Sequence, residues 1–309
     1  MAIERKYGED HINQSLKQID SDSWLVGSLV LRRLPYFSEN AIWKDSDDHS
    51  SYAITQAPTS CDWKTTELDS PYVKLVHEAG DTSAVWSIGN NAFCKVRDVE
   101  RGATPEAVTL DFVQRQNPSF KTPKVLHYLV EKDRSYLFLE RVQGRTLAEA
   151  WPSLTMEWRR FYVAAVVRIC KEMAEWEGKM LSGVDGQCVP EYYLQPRGVD
   201  DFTSLQDTCA TIGMDCSIFF FYHADLGPCN IIVEDEPEHG IIGIIDFEIA
   251  GYFPRGWIRT KFRVSSGMDL PASSKEEDPL WWRRQVQMAL GADGFEDFTE
   301  KWQAWLARW

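Results

Sequence analysis

The stretch Tyr222–Pro254, YHADLGPCNIIVEDEPEHGIIGIIDFEIAGYFP, decides the fold. NIIV (230–233) and IIGIID (241–246) are β-rich runs separated by the charged, turn-forming EDEPEHG, a combination that predicts an antiparallel hairpin. Asn230 opens the outgoing strand and Asp246 closes the returning one, so the hairpin carries both side chains to the same end. An amide oxygen and a carboxylate at one point make a two-ligand site of hard donors, the kind that Mg2+ takes together with substrate phosphates. Asp225 lies on the turn immediately before, spaced to face a substrate hydroxyl beside such an ion. Each of the three taken alone is most simply a turn residue, because Asp and Asn bond their own backbone in loops. Their joint order around one hairpin is what points to chemistry.

An H-x-D-x4-N run followed by a strand ending in Asp is the part list of a kinase-type phosphoryl transferase. YHADLGPCN with GIIDFEIAGYFP resembles the H-G-D-x-x-x-x-N and I-D-W/F-E pair of the aminoglycoside phosphotransferase and choline kinase group, in the texture of its fungal small-molecule members. The resemblance implies an α+β, bilobal, protein-kinase-like fold with a small β-rich N-lobe and a larger, mainly helical C-lobe. It implies ATP and Mg2+ as cofactors and the hydroxyl of a small-molecule acceptor as the phosphate's destination. By the same resemblance Asp225 is the catalytic base, Asn230 and Asp246 are metal ligands, and His223 supports the loop. Ala224 stands where the group usually has glycine, which leaves every functional group in place. Glu248 stands where protein kinases end their D-F-G. With no A-P-E segment and no activation loop after Asp246 either, a protein substrate is disfavoured.

Outward from this stretch, the upstream sequence supplies the partners in order. YVKLVHEAG, SAVWSIG and AFCKVRD predict strands, the last two forming a hairpin over Asn90-Asn91. Lys95 lies mid-strand, and Thr104-Pro105-Glu106 predicts an N-cap, a proline and a first-turn acid opening a helix to about Gln116. A strand lysine that holds phosphates and a helix glutamate that holds the lysine are kinase-type features, and Lys95 and Glu106 resemble them. KVLHYLVEKDRSYLFLERV predicts two more strands around a charged turn in which Glu131 and Asp133 are solvated. YLFLERVQGRTL resembles the inter-lobe hinge, where backbone groups of Glu140 and Val142 would meet the adenine edge. HEAGDTSAVW, with Gly80, would cover the phosphates.

The domain boundaries that follow are an N-terminal extension (1–71), an N-lobe (72–143) and a C-lobe (144–309). In the extension, the apolar run from Trp24 to Leu31 predicts one helix packed on the body. Met156–Met180 carries an apolar stripe at three- and four-residue spacings, predicting a long buried helix. PLWWRRQVQMAL and EDFTEKWQAWLARW are helical. The thirteen tryptophans are mostly core material, with Trp257, Trp281 and Trp282 as the set that would line a cleft for a quaternary ammonium.

Bulk composition bounds the function. A chain of 309 residues, 44% hydrophobic, buries a substantial core. The first thirty residues, with Arg5, Lys6, Glu9, Asp10, Asp20 and Asp22, hold no uninterrupted apolar stretch, so the reading is of a cytoplasmic chain without membrane attachment. The seven cysteines form no C-x-x-C pair and read as free thiols, Cys94 and Cys170 as buried hydrophobes. A net charge of −14 argues against nucleic acid as a partner and suits a cationic, amine-bearing acceptor. Oligomeric state is left open. Two other uses of the same fold stand beside phosphotransfer. One is a nucleotide-binding pseudoenzyme or scaffold, which the intact Lys, Asp, Asn and Asp set disfavours. The other is a pocket repurposed for non-phosphorylating chemistry on a natural product, which no motif residue suggests.

Overall fold

Strands with alternating buried positions dominate the first hundred residues of the computed structural model, which describes residues 11–58, 63–199, 201–271 and 279–308. Cys61 and the charged residues Arg5, Lys6, Glu9 and Asp10 lie outside the described residues. The chain divides into two units, Met1–Val99 with Lys124–Arg141, and Glu100–Pro123 with Val142–Trp309. The fold class is mixed α+β, with the sheets concentrated in the first unit and the helices in the second.

In the first unit β1 (Leu16–Asp20), β2 (Ser23–Val26), β3 (Leu29–Leu34), β4 (Trp43–Asp45) and β5 (Ser50–Gln56) form an antiparallel sheet in the order β1-β2-β3-β5-β4. A second antiparallel sheet, in the order β6-β7-β8-β10-β9, contains β6 (Val73–Ala79), β7 (Ser83–Ile88), β8 (Ala92–Asp98), β9 (Val125–Glu131) and β10 (Arg134–Glu140). Both sheets feed one core, in which Trp24, Leu31 and Tyr52 meet Trp86, Cys94 and Phe138. On β8, Ala92, Cys94 and Val96 turn into that core, and the period of two puts Lys95 on the other face of the sheet.

The helix expected over Trp24–Leu31 is instead a β-hairpin. Val26 pairs with Leu29 across a two-residue turn, Gly27-Ser28, and Gly27 has the left-handed φ of +59° such a turn needs. Three apolar residues on each side of Gly-Ser imitate a helical stripe, but they are two short strands. Leu16 to Gln56 therefore supply a whole antiparallel sheet to the first unit. Glu131, expected to be a solvated turn charge, accepts the Ser28 N–H at 2.7 Å and fastens this hairpin to the second sheet.

The first helix of the second unit is α1 (Glu106–Arg115). Thr104 is not its N-cap. That position is Pro105, and the Thr104 hydroxyl bonds Asp185 at 2.5 Å instead. After β11 (Arg145–Thr146) and α2 (Leu147–Ala150), the buried helix α3 (Met156–Met173) turns Tyr162, Val166, Ile169 and Met173 inward. It stops short of Met180. Trp176 O already accepts the Phe221 N–H, and β12 (Glu177–Gly178) pairs with β13 (Phe219–Tyr222) beyond α4 (Leu205–Ile212). β14 (Ile231–Val233) and β15 (Ile242–Ile244) form the expected hairpin, with Ile231 opposite Ile244. β16 (Gly251–Phe253) joins β13, and α5 (Arg255–Val264), α6 (Trp281–Ala292) and α7 (Thr299–Leu306) complete the unit. No helix among the described residues is long and apolar enough to cross a membrane, and six described cysteines are free thiols.

β11 is seated on β14 by a glycine that cannot be replaced. Gly144 has φ +119°, and a Cβ there would lie 2.1 Å from the Val233 carbonyl oxygen in β14. Gly144→Ala should therefore cost about 2–4 kcal/mol in urea denaturation. A loss below about 1 kcal/mol would show that the β11–β14 pairing yields instead.

Candidate active site

The site is built from the loop leaving β13 and the two ends of the β14–β15 hairpin. β13 is an almost wholly buried FFFY run, so the chain emerges from it at a fixed point. Ala224 then takes φ +61°, a left-handed conformation rare for a residue with a Cβ. The buried His223 ring spans this reversal. Its Nδ1 accepts the Asp225 N–H at 3.3 Å and its Nε2 meets Ile245 O at 2.9 Å, so the neutral tautomer carries its proton on Nε2.

Asp225 is held by Asn230, which closes a single 3-10 turn, Pro228–Asn230. The Asn230 amide donates to Asp225 O at 2.8 Å and to Asp225 Oδ2 at 2.9 Å. Both amide hydrogens are thereby used, and Oδ1 is the atom that Asn230 has left to offer a cation. Burial, and then the charge of Asp246, push the Asp225 carboxyl up to about 6; Lys261 and the Asn230 hydrogen bond pull the other way.

At the returning end of the hairpin, Ile245 N–H bonds Asn230 O at 3.0 Å, and Asp246 reverses the chain at φ +67°. The next amide, Phe247 N–H, donates to Glu106 Oε1 at 3.0 Å, a buried bond across 141 positions of sequence. It draws the first residue of α1 into the site. Ligand oxygens of Glu106, Asp246 and Glu248 all lie within 4.8 Å of one another. Hard carboxylate oxygens at that spacing suit Mg2+ or Ca2+ and do not suit a soft metal.

Of the residues singled out in the sequence, Asp225 joins Asn230, and Glu106 joins Asp246. Lys95 and Glu140 belong to the first unit and Val142 to the second. Lys95 is buried on the central strand β8. Glu140 closes β10, with its N–H on Lys124 O at 2.8 Å. Val142 packs on Gly243, where a Cβ would come within 2.4 Å of its Cγ1. Trp257 and Trp282 are fully buried, so they do not line a cleft.

Sequence reasoning missed Glu248 as a third acid and missed a buried ion pair. Lys261 Nζ lies 2.7 and 2.6 Å from the two Glu191 oxygens, and both side chains are at most 2% exposed. Trp257 Nε1–H adds a bond to Glu191 at 3.2 Å, and the Lys261 ammonium lies 4.2 Å from the Tyr193 ring centroid. A signal for half of this existed: Lys261 sits one helical turn from Trp257, on the apolar face of α5. Nothing local marks Glu191 as its partner.

No protein-family model matches the chain, and no curated protein matches it in sequence. Among solved structures, the aminoglycoside phosphotransferase APH(3'')-Id from Streptomyces rimosus is 15% identical, with 74% of this chain and 90% of that one covered at a TM-score of 0.47. A streptomycin-ATP-APH(2")-IIa ternary complex is 14% identical over 77% and 82% of the two chains, at 0.48. An aminoglycoside-3'-phosphotransferase of type VIII is 16% identical over 76% and 92%, at 0.47. Likenesses this distant carry no argument about activity, and the case rests on this chain's own side chains.

The position of Asp225 predicts a pH signature. Its folded value lies above the ordinary 3.8, so the fold disfavours the ionised form, and stability is lost as pH rises from 3.8 through about 6. Asp225→Asn removes that ionisation and keeps an oxygen for Asn230. Without divalent cations, the variant should melt a few degrees above the parent at pH 7–8, from about 1–2 kcal/mol after discounting for partial exposure. The gap should close below about pH 4. An equal gap at every pH, read by scanning fluorimetry, would show that the carboxylate is not disfavoured.

Proposed function

We propose that the chain is an ATP- and Mg2+-dependent phosphotransferase that moves the γ-phosphate of ATP to a hydroxyl group of a small molecule. One observation carries this reading. A half-buried carboxylate, Asp225, has one oxygen fixed by Asn230, while three further carboxylates gather where the same hairpin returns. A base for a hydroxyl and hard ligands for a phosphate-bound cation are the two things phosphoryl transfer asks of a protein.

Asp225 orients the acceptor hydroxyl and takes its proton. A carboxyl held near neutrality suits that task, because it is basic enough to accept a proton and still ionised at pH 7. Asp246, with Glu248 and Asn230 Oδ1, would hold the cation. Mg2+, when bound, supplies charge neutralisation to the phosphates. Glu106 fixes the backbone beside Asp246 through Phe247 N–H. On the motif order, Lys95 would orient phosphates and the backbone of Glu140 and Val142 would meet the adenine edge. Most of the rate acceleration in this scheme is positional and electrostatic. The negative charge of the chain favours an amine-bearing alcohol as the acceptor.

The test is the melting midpoint with and without ATP plus Mg2+, for the parent and for Asp246→Asn. A ligand at a hundred times its dissociation constant adds about 2.7 kcal/mol, a rise of several degrees. The rise should need Mg2+ and vanish in the variant. No rise at millimolar nucleotide would overturn the reading and favour a pocket reused for other chemistry.

A further inference from the structure

We propose that Gly267 determines acceptor specificity, because its missing side chain keeps open the approach of the acceptor hydroxyl to Asp225 Oδ1. This rests on the phosphotransferase reading and identifies the part of the site that selects acceptors by bulk.

The two oxygens of Asp225 are unlike. Oδ2 accepts from Asn230 at 2.9 Å, whereas Oδ1 accepts no hydrogen bond among the described residues. Oδ1 is therefore the oxygen with lone pairs to spare. The residue beside it is Gly267, in the short turn Ser266–Met268 that follows α5. A Cβ built on Gly267 would lie 3.9 Å from Asp225 Oδ1.

Two glycines meet here for different reasons. Gly227, on the Asp225 loop, needs its missing side chain for close packing, since a Cβ would crowd Gly267 O at 3.0 Å and Met268 Cα at 3.2 Å. That close approach seats the turn against the loop. Gly267 has no such need. Its φ lies outside the left-handed region, and its Cβ would make only ordinary contacts, 3.5 Å to Ser265 Oγ and 3.9 Å to Asp225 Oδ1. Backbone and packing would both accept a side chain, and the position is exposed. What a side chain would occupy is the space beside Oδ1.

The turn that carries Gly267 is firmly held. Met268 is fully buried, Ser265 N–H bonds Lys261 O at 3.0 Å, and Lys261 is locked to Glu191. In the transfer step the acceptor O–H gives its proton to Oδ1 as its oxygen bonds the γ-phosphorus. The bond from that phosphorus to the β–γ bridging oxygen breaks, and ADP leaves with the electron pair. An acceptor oxygen within about 2.7 Å of Oδ1 brings its own carbon into the volume that branches on a residue-267 side chain would fill.

The experiment compares parent, Gly267→Ala and Gly267→Val by ADP release from ATP and Mg2+, with ethanolamine, glucosamine and gentamicin as acceptors of rising bulk. Acceptor KM should rise by about tenfold or more in the valine variant and less in the alanine variant, most steeply for the bulkier acceptors. The nucleotide-induced rise in melting midpoint should match the parent's. Unchanged acceptor KM in both variants of an active parent overturns this inference alone. Variants that lose the nucleotide-induced rise also overturn it, by showing that Gly267 serves packing. A parent that releases no ADP with any of the three overturns the phosphotransferase reading and this inference with it.

Discussion

The candidate site depends on a backbone reversal at Asp246. A non-glycine residue at φ +67° costs on the order of 1–3 kcal/mol and persists only where its surroundings over-determine it. Here both neighbours are tied. Ile245 donates its N–H to Asn230 O and accepts from His223 Nε2–H at its carbonyl, and Phe247 donates its N–H to Glu106. The three bonds come from three separate places, namely the turn that leads into β14, the loop after β13 and the start of α1. One strained residue thereby sets where Asn230, Asp225 and Glu106 stand relative to Asp246. Ala224, also left-handed, has the same His223 ring at its side, so one imidazole braces both reversals.

The same construction explains why the site keeps its acids close without collapsing around them. Asp225 feels burial and then Asp246, which raise it, and Lys261, which lowers it. Lys261 is ion-paired to Glu191, whose own charge pushes Asp225 the other way and partly offsets that pull. The pair's other contribution is mechanical. A desolvated ion pair with its hydrogen bonds satisfied is costly to break from one side, and it fixes the end of α5 at one height. Asp225 is left raised by burial and like charge against the weaker pull of Lys261 and Asn230, rather than quenched by a direct cation. A carboxylate bonded by Lys261 itself would be a far weaker base.

How much of this was legible follows from where each signal is written. The β14–β15 hairpin, with Asn230 and Asp246 at one end, is local, because two apolar runs and a charged connection specify it. The helix opening at Glu106 was equally local, although Thr104 turned out to serve Asp185 rather than the helix. Contacts made across long stretches of sequence were not legible. Phe247 and Glu106 are 141 positions apart, and Lys261 and Glu191 are 70 apart. The helix expected at Trp24–Leu31 failed differently. Whether short apolar runs become strands depends on a partner surface. Here that surface is a second sheet presenting Trp86 and Phe138.

The connection between β14 and β15 also does more than its composition suggests. EDEPEHG has the charge density of a solvated turn, yet Glu234 folds back to accept the N–H groups of Glu238, His239, Gly240 and Ile241. Fixing those four amides fixes where the returning strand starts. Strand side chains alternate with a period of two, so a slip of one residue would turn every side chain of β15 to the opposite face of its sheet. Gly243 reinforces the same register from the middle of β15, because only a residue without a Cβ fits beneath Val142. The geometry at the Asn230–Asp246 end of the hairpin is therefore set partly at its opposite end, by the Glu234 carboxylate.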